Sequence, residues 1–261
     1  LILWYLLPLI DEQPTMTSIE ISSIAFAFVF GGAMVGIAIR TMLPPVELNS
    51  DSRDVVKLGM GLVATMAAIL LGLLIASAKS SFDTQNVELT EMSSKVVLLD
   101  RVLAHYGPEA GEARSELRNS VVHTLDMLSS NDRSKWESTK GELLYDKIQG
   151  LLPKDDAQRL MQAQSLTAVL ALAQTRWLIT AQRANSVSAP LLIALIFWLT
   201  IIFISFGLYA PRNVTVVVSL LISALSVSGA ILLILEMCSP YAGLIHVSSA
   251  PLRDALTRLG Q

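Results

Sequence analysis

Apolar positions follow two patterns along the chain. Four stretches carry no charged residue: 21–39, 58–78, 184–210 and 214–235. Each is close to or above the ~20 residues that carry an α-helix across a ~30 Å hydrocarbon core. They predict transmembrane helices near 20–42, 57–79, 187–209 and 214–237. A helix apolar on every side is either buried or in lipid, and four such helices would need a far larger soluble shell than 261 residues supply. Between the second and third stretches the pattern changes. Phe82, Gln85, Leu89, Met92, Val96, Leu99 and Leu103 recur in alternating three- and four-residue steps, the a/d seam of a 3.5-residue period. No glycine or proline interrupts the chain between Ala76 and His105, so the second span is expected to continue into this helix until Gly107 and Pro108 end it.

Further helices are expected over 109–129, with Leu117, Val121, Leu125 and Leu128 on one face, and over 132–151. After Pro153 a last helix is expected to start near Asp155. Its seam is read as Ala163, Leu166, Leu170, Ala173, Trp177, Thr180 and Ala184, leading into the third span. The first and last of these helices would pack as a stalk and the middle two would complete a bundle. No strand is indicated. The expected fold is all-α, an integral membrane protein with four transmembrane helices and a helical-bundle domain inserted between spans two and three.

The expected division is an apolar N-terminal segment or extension (1–19), a first transmembrane hairpin (20–79), the bundle domain (80–186), a second hairpin (187–237) and a C-terminal tail (238–261). Residues 1–10 are apolar but too short to span, and no basic residue precedes them as in a signal peptide. In the tail, Ser249 is placed to cap a short helix with Pro251 in its first turn. Leu252, Ala255, Leu256 and Leu259 face one way and Arg253 and Arg258 the other, which suits a helix lying at the membrane surface. Lys79, Arg176, Arg183, Arg253 and Arg258 flank the spans on the bundle side, against Arg40, Arg53, Lys57 and Arg212 on the other. A margin of one charge puts the bundle and both termini in the cytoplasm.

Composition agrees with a membrane protein. Hydrophobic residues make up 52% and charged residues 16%, where a soluble domain carries about 25% charged. A net charge of −3 leaves no basic excess for nucleic acid. The single Cys238 excludes an internal disulfide, and His105, His123 and His246 fall in separate segments without metal-ligand spacing. No phosphate loop, HExxH, dinucleotide fingerprint or Ser-His-Asp set is present. No enzyme activity, metal or cofactor is expected. The partners expected are the bilayer, other copies of the chain and inorganic ions.

Within the spans, small and polar residues stand out. Gly32 and Gly36 form a GxxxG pair, and Ala64, Ala68, Gly72 and Ala76 recur every four residues. Such ridges let helix backbones approach closely in lipid. They are read as a packing ridge, or alternatively as a face that lines a conduit. Thr215, Ser219, Ser223 and Ser226 fall within roughly an 80° arc of one helix. They are candidate pore-lining groups, with packing against a neighbouring helix as the alternative. Arg40, Arg212 and Glu236 lie at span ends, where long side chains extend into the interface.

Two stretches carry a family resemblance. One is DSRDVVKLG from Asp51, continuing through AAILLGLLIASAKSSFDTQN from Ala67. The other is FGLYAPRNVT from Phe206, with LEMCSPYAGLI from Leu235 and SSAPLR from Ser248. From about residue 20 onward the chain resembles a bacterial membrane family labelled bestrophin-like. The resemblance implies a relative of anion channels in a bacterial inner membrane, with four spans, cytosolic termini, a large helical cytosolic part and assembly as a pentamer. The second span has no aromatic residue between Leu58 and Ser81, so the bestrophins' aromatic neck has no counterpart. Asp83, Glu88 and Glu91 read as a solvated helix face, not as a calcium clasp, and no pore or calcium residue is carried over. The leading expectation is an oligomeric ion channel conducting anions such as chloride. The alternatives are a structural or accessory membrane protein, a cation channel, or a membrane sensor.

Overall fold

The computed structural model describes residues 17–42, 50–129, 140–184, 188–211, 213–238 and 245–259. The described residues form helices α1 (Ser18–Met42), α2 (Ser50–Tyr106), α3 (Gly111–Ser129), α4 (Lys140–Gln149), α5 (Asp156–Ala184), α6 (Ala189–Tyr209), α7 (Val214–Cys238) and α8 (Ala250–Arg258). The apolar segment over 1–16 lies outside them. Four helices are long and apolar enough to cross a membrane: α1, α2 from Asp54 onward, α6 and α7. The chain divides into two compact units, Leu1–Ser80 with Val187–Cys238, and Ser81–Ser186 with Ser239–Gln261.

The first unit is held by α1, which packs against both α6 and α7. A reciprocal capping box starts α1: the Thr17 hydroxyl accepts from the Glu20 N–H, and the Glu20 carboxylate accepts from the Thr17 N–H. Ala25, Val29 and Ala33 then present one face to Leu195, Ile196 and Leu199 of α6 and to Ala224, Ile231 and Ile234 of α7. Glycine sets the spacing. A Cβ on Gly32 would lie 3.1 Å from the Thr200 methyl. A Cβ on Gly36 would run into the Ile204 carbonyl oxygen, and one on Gly207 into the Ala33 carbonyl oxygen. The two backbones therefore touch. This replaces the apolar driving force that lipid cannot supply.

The membrane part of α2 is more loosely attached. Ala67, Leu74 and Ala78 are buried, while Leu58, Leu62, Ile69 and Leu73 are exposed. The loop expected up to residue 56 is shorter than that, because α2 begins at Ser50. Asp54 stands near its start, where a carboxylate suits the helix dipole, and pairs with Lys57 at 3.1 Å.

In the second unit, Leu89, Met92, Val96, Leu99 and Leu103 of α2 form a buried stripe, with Phe82 packed at its start. Gln85 occupies the same stripe at 2% exposure and donates to Ser81 Oγ at 3.4 Å. Leu117, Val121 and Leu128 of α3 and Leu144 and Ile148 of α4 face it. Gly107 ends α2 at φ 124°, a conformation only glycine adopts readily. The Gln162 side-chain amide donates to the carbonyls of Ile148, Gln149 and Leu151, closing the end of α4. Arg114 grips Asp100 with two hydrogen bonds of 2.8 and 3.0 Å, which raises the Arg114 pKa above its ordinary value. At the surface, hydrogen bonds from Lys154 and Lys147 hold the Glu109 and Glu112 carboxyls below the usual range.

Several expectations are corrected here. The buried face of α5 is Ser165, Val169, Thr175 and Ile179. Most of the expected seam is turned outward: Ala163, Leu170, Ala173 and Trp177 are exposed, whereas Leu166 is half-buried and packed against the core, and the side chains of Thr180 and Ala184 lie outside the described set. Nor does α5 run on as the third span. It ends at Ala184, Ser188 is not helical, and Pro190 sits in the first turn of α6. The helix expected over 132–151 is described over Lys140–Gln149. In the tail, the apolar face of α8 is covered: Leu252, Ala255 and Leu259 are buried against the bundle, α8 packs on α3, and Arg118 donates to the Leu259 carbonyl. An amphipathic stripe does not distinguish a protein partner from a bilayer surface. The Ser249 side chain makes no cap; Ser248 Oγ accepts from the Ala250 N–H instead. Of the acidic residues after the second span, Asp83 and Glu91 are solvated but Glu88 is half-buried.

Two outcomes follow. Gly36→Ala should destabilise the detergent-solubilised protein by about 1–3 kcal/mol, because its methyl meets backbone. Gly72→Ala, with nothing within 4 Å of its Cβ, should be neutral or slightly stabilising. Thermal unfolding of the pair checks this, and equal midpoints would refute the backbone contact. In the second unit, Asp100→Asn should cost about 2–3 kcal/mol by removing the charge that Arg114 is held against, measurable as a lower denaturant midpoint.

Candidate functional site

The fourth span presents two chemically different faces. Leu220, Ala224, Ile231 and Ile234 of α7 are buried in the first unit. Thr215, Ser219, Ser223 and Ser226 are all exposed, on a face they share with Val218, Ile222 and Leu225. The hydroxyl stripe therefore exists as a face, and it points away from the chain's own core. The Ser226 hydroxyl donates to the Ile222 carbonyl at 2.9 Å, which satisfies it without a partner helix. Among the described residues these groups line no enclosed cavity; all four are exposed. The seam between α1 and α6 is closed by the glycine contacts.

The other sequence candidates separate. Gly32 and Gly36 lie in the closed α1–α6 seam. Of the second-span ridge, Ala64 is half-buried, whereas Ala68, Gly72 and Ala76 are exposed. Within the chain α2 packs through Ala67, Leu74 and Ala78, with Ala64 of the ridge packed beside them. Arg40 bridges two helix ends, its guanidinium donating to the Ala210 carbonyl at the C-terminus of α6. That end carries the negative pole of the helix. Arg212 lies outside the described residues. Glu236 is 4% exposed, so it sits inside the unit and does not extend toward headgroups.

Three further polar groups inside the first unit escaped the sequence reading. Ser22 donates to the Ile19 carbonyl at 3.1 Å and Thr200 to the Ile196 carbonyl at 2.7 Å. Ser228 is buried and its Oγ has no hydrogen-bond partner among the described residues. Its position was readable: Leu220, Ala224, Ser228 and Ile231 share one face of α7, the one opposite the stripe. Among the described residues of the second unit, an open groove of about 350 Å³ runs along Asn86, Val87, Thr90, Glu91, Ser94 and Lys95 of α2. Lys95 pairs with Glu91 at 3.4 Å and donates to Thr175 of α5 at 3.0 Å. Burial lowers the Arg176 pKa from its ordinary value, and burial followed by Glu109 raises that of Tyr106. No three His, Cys, Asp or Glu side chains among the described residues gather as a metal site.

A family model described as the bestrophin-like domain matches residues 27–252. The chain belongs to the bestrophin-like family. The match begins within α1 and ends within α8, so it takes in both units of this bestrophin-like protein. No curated protein and no solved structure matches the chain.

In the bestrophin-like chain the contact of Arg40 with Ala210 is defined, and removal of the side chain tests it. Arg40→Ala should lower stability by about 1.5 kcal/mol, the contribution of a charge-assisted hydrogen bond. The check is the thermal midpoint of solubilised protein, and an unchanged midpoint would mean that the tie to Ala210 contributes nothing.

Proposed function

We propose that this bestrophin-like protein is one subunit of an oligomeric channel that conducts anions such as chloride across a bacterial inner membrane. The observation that carries the reading is the outward hydroxyl face of α7. It holds Thr215, Ser219, Ser223 and Ser226, and no charge occurs between Val214 and Leu235. A pathway lined by hydroxyls offers O–H donors to an anion without a carboxylate to repel it. With the α1–α6 seam closed, such a pathway would form between copies of the chain. Family membership supports a channel-like protein. In this reading the protein has no enzymatic step, its partners are lipid, its own copies and inorganic ions, and the bundle faces the cytoplasm.

One observation favours a second reading, an accessory or scaffolding protein without transport. The Ser226 hydroxyl is already bonded to its own helix, as a lipid-facing or packed serine would be. Purified protein in sealed liposomes, with chloride and potassium gradients tested separately, decides between the two. Selective chloride flux is expected. Replacing Ser219, Ser223 and Ser226 together with Ala should reduce that flux about tenfold, equivalent to roughly 1.4 kcal/mol of lost ion stabilisation. Potassium flux would discard the anion reading. Silence toward both ions from an intact oligomer would favour the scaffold, and wild-type flux from the triple variant would assign the stripe to packing.

A further inference from the structure

We propose that α8 is a topological clasp: it closes the core of the bundle, and it reaches its seat on α3 only in chains whose third and fourth spans have both crossed the membrane. The second unit draws its residues from two stretches, Ser81–Ser186 and Ser239–Gln261, which α6 and α7 separate along the chain. Val247, Leu252, Ala255 and Leu259 of the later stretch share one buried cluster with Ala113, Leu117 and Val121 of α3. Leu252 is fully covered. Helix α8 packs on α3, and Arg118 of α3 donates to the Leu259 carbonyl at 3.5 Å. Arg253, Asp254 and Arg258 are exposed on the outer face of α8. The seat on α3 is therefore filled by a segment that follows both later spans.

Two physical constraints make this contact a clasp. The first is stability. Helix α8 has 9 residues, below the ~12–15 under which isolated helices are marginal in water. It keeps its shape by docking, and without it the apolar side chains of α3 beneath it lose their cover. The second constraint is topology. Exposed charges on α2 (Asp83, Glu91, Arg101), on α3 (Glu112, Arg118) and on α8 put the second unit in water, because the hydrocarbon core admits such a surface only at high cost. Its two stretches must then lie on one side of the bilayer. Between them stand α6 and α7, each long and apolar enough to cross. Each crossing changes the side. One crossing leaves α8 opposite its seat, and two return it. A chain whose fourth span fails to insert keeps an open apolar strip on α3, a surface prone to aggregation. Closure of the bundle thus reports complete insertion of the second hairpin. None of this depends on ion conduction.

The test uses full-length protein, with Cys238→Ser as background. Single cysteines replace Ser115 on α3, Asn213 in the α6–α7 turn and Arg253 on α8, all of them exposed. Each is labelled from either side of native membrane vesicles with an impermeant maleimide. Ser115→Cys and Arg253→Cys should label from one side and Asn213→Cys from the other. Closure is read by hydrogen exchange of the purified protein. The double variant Leu252→Glu with Ala255→Glu should speed exchange in α3 about tenfold and leave α1 and α6 unchanged. Arg253→Ala with Arg258→Ala, on the outer face of α8, should leave α3 unchanged as well. Adding a peptide of residues 245–259 should restore protection to the undocked variant, even where its whole bundle has loosened. Labelling of Ser115→Cys and Arg253→Cys from opposite sides, or of all three from one side, overturns the double crossing. Unchanged exchange in α3 of the undocked variant, or no recovery with the peptide, overturns the clasp.

Discussion

The membrane half of this protein depends on one contact, the approach of α1 to α6 where Gly36 meets Ile204 and Gly207 meets Ala33. In water, helices associate because apolar side chains leave the solvent. In lipid that gain vanishes, and what is left is the density of contact between helices and the hydrogen bonds they share. Two glycines facing each other's backbones give the closest approach a helix pair allows. From this pair the rest of the first unit is placed: α7 also packs on α1, and Arg40 ties the end of α1 to the end of α6. The second unit is built by other means, a seam of large side chains along α2 and α3 with a doubly bonded ion pair at Asp100 and Arg114.

The helix α2 shows both regimes in one element. Up to Ser80 its buried positions are small or sparse, and lipid-compatible side chains cover the rest. From Ser81 onward its burial follows a stripe of Leu, Met and Val, with polar residues on the remaining faces. The change is one of solvent, and it is visible where charged residues first reappear, at Lys79 and Asp83.

The spans were legible because a charge-free stretch of twenty residues has few other meanings. The stripe on α2 was legible because polar residues surround it and fix which face is buried. On α5 the same reasoning chose the wrong face. With no charge between Arg159 and Arg176, both faces look apolar, and the face that is buried includes two hydroxyls. Ser165 and Thr175 bond to the carbonyls of Met161 and Ala171 at 2.8 and 2.9 Å, so they enter the core without a cost that the sequence displays. The end of α5 was missed because the apolar pattern carries past Pro190, which is tolerated in a first helical turn. The stripe of hydroxyls on α7 was found, but pattern alone does not say whether such a face turns inward or outward.

The bond from Ser226 to Ile222 has a consequence for how such a face meets an ion. A serine that gives its proton to its own helix shows only oxygen lone pairs outward, which attract cations and repel anions. To hold chloride the hydroxyl must turn about χ1 and release the carbonyl, exchanging one bond of about 1 kcal/mol for another. That exchange takes picoseconds to nanoseconds at an exposed position. The polarity of the face is therefore a matter of rotamer as well as of sequence. A residue that stiffens χ1, such as threonine in place of Ser226, would bias which sign of charge the helix welcomes.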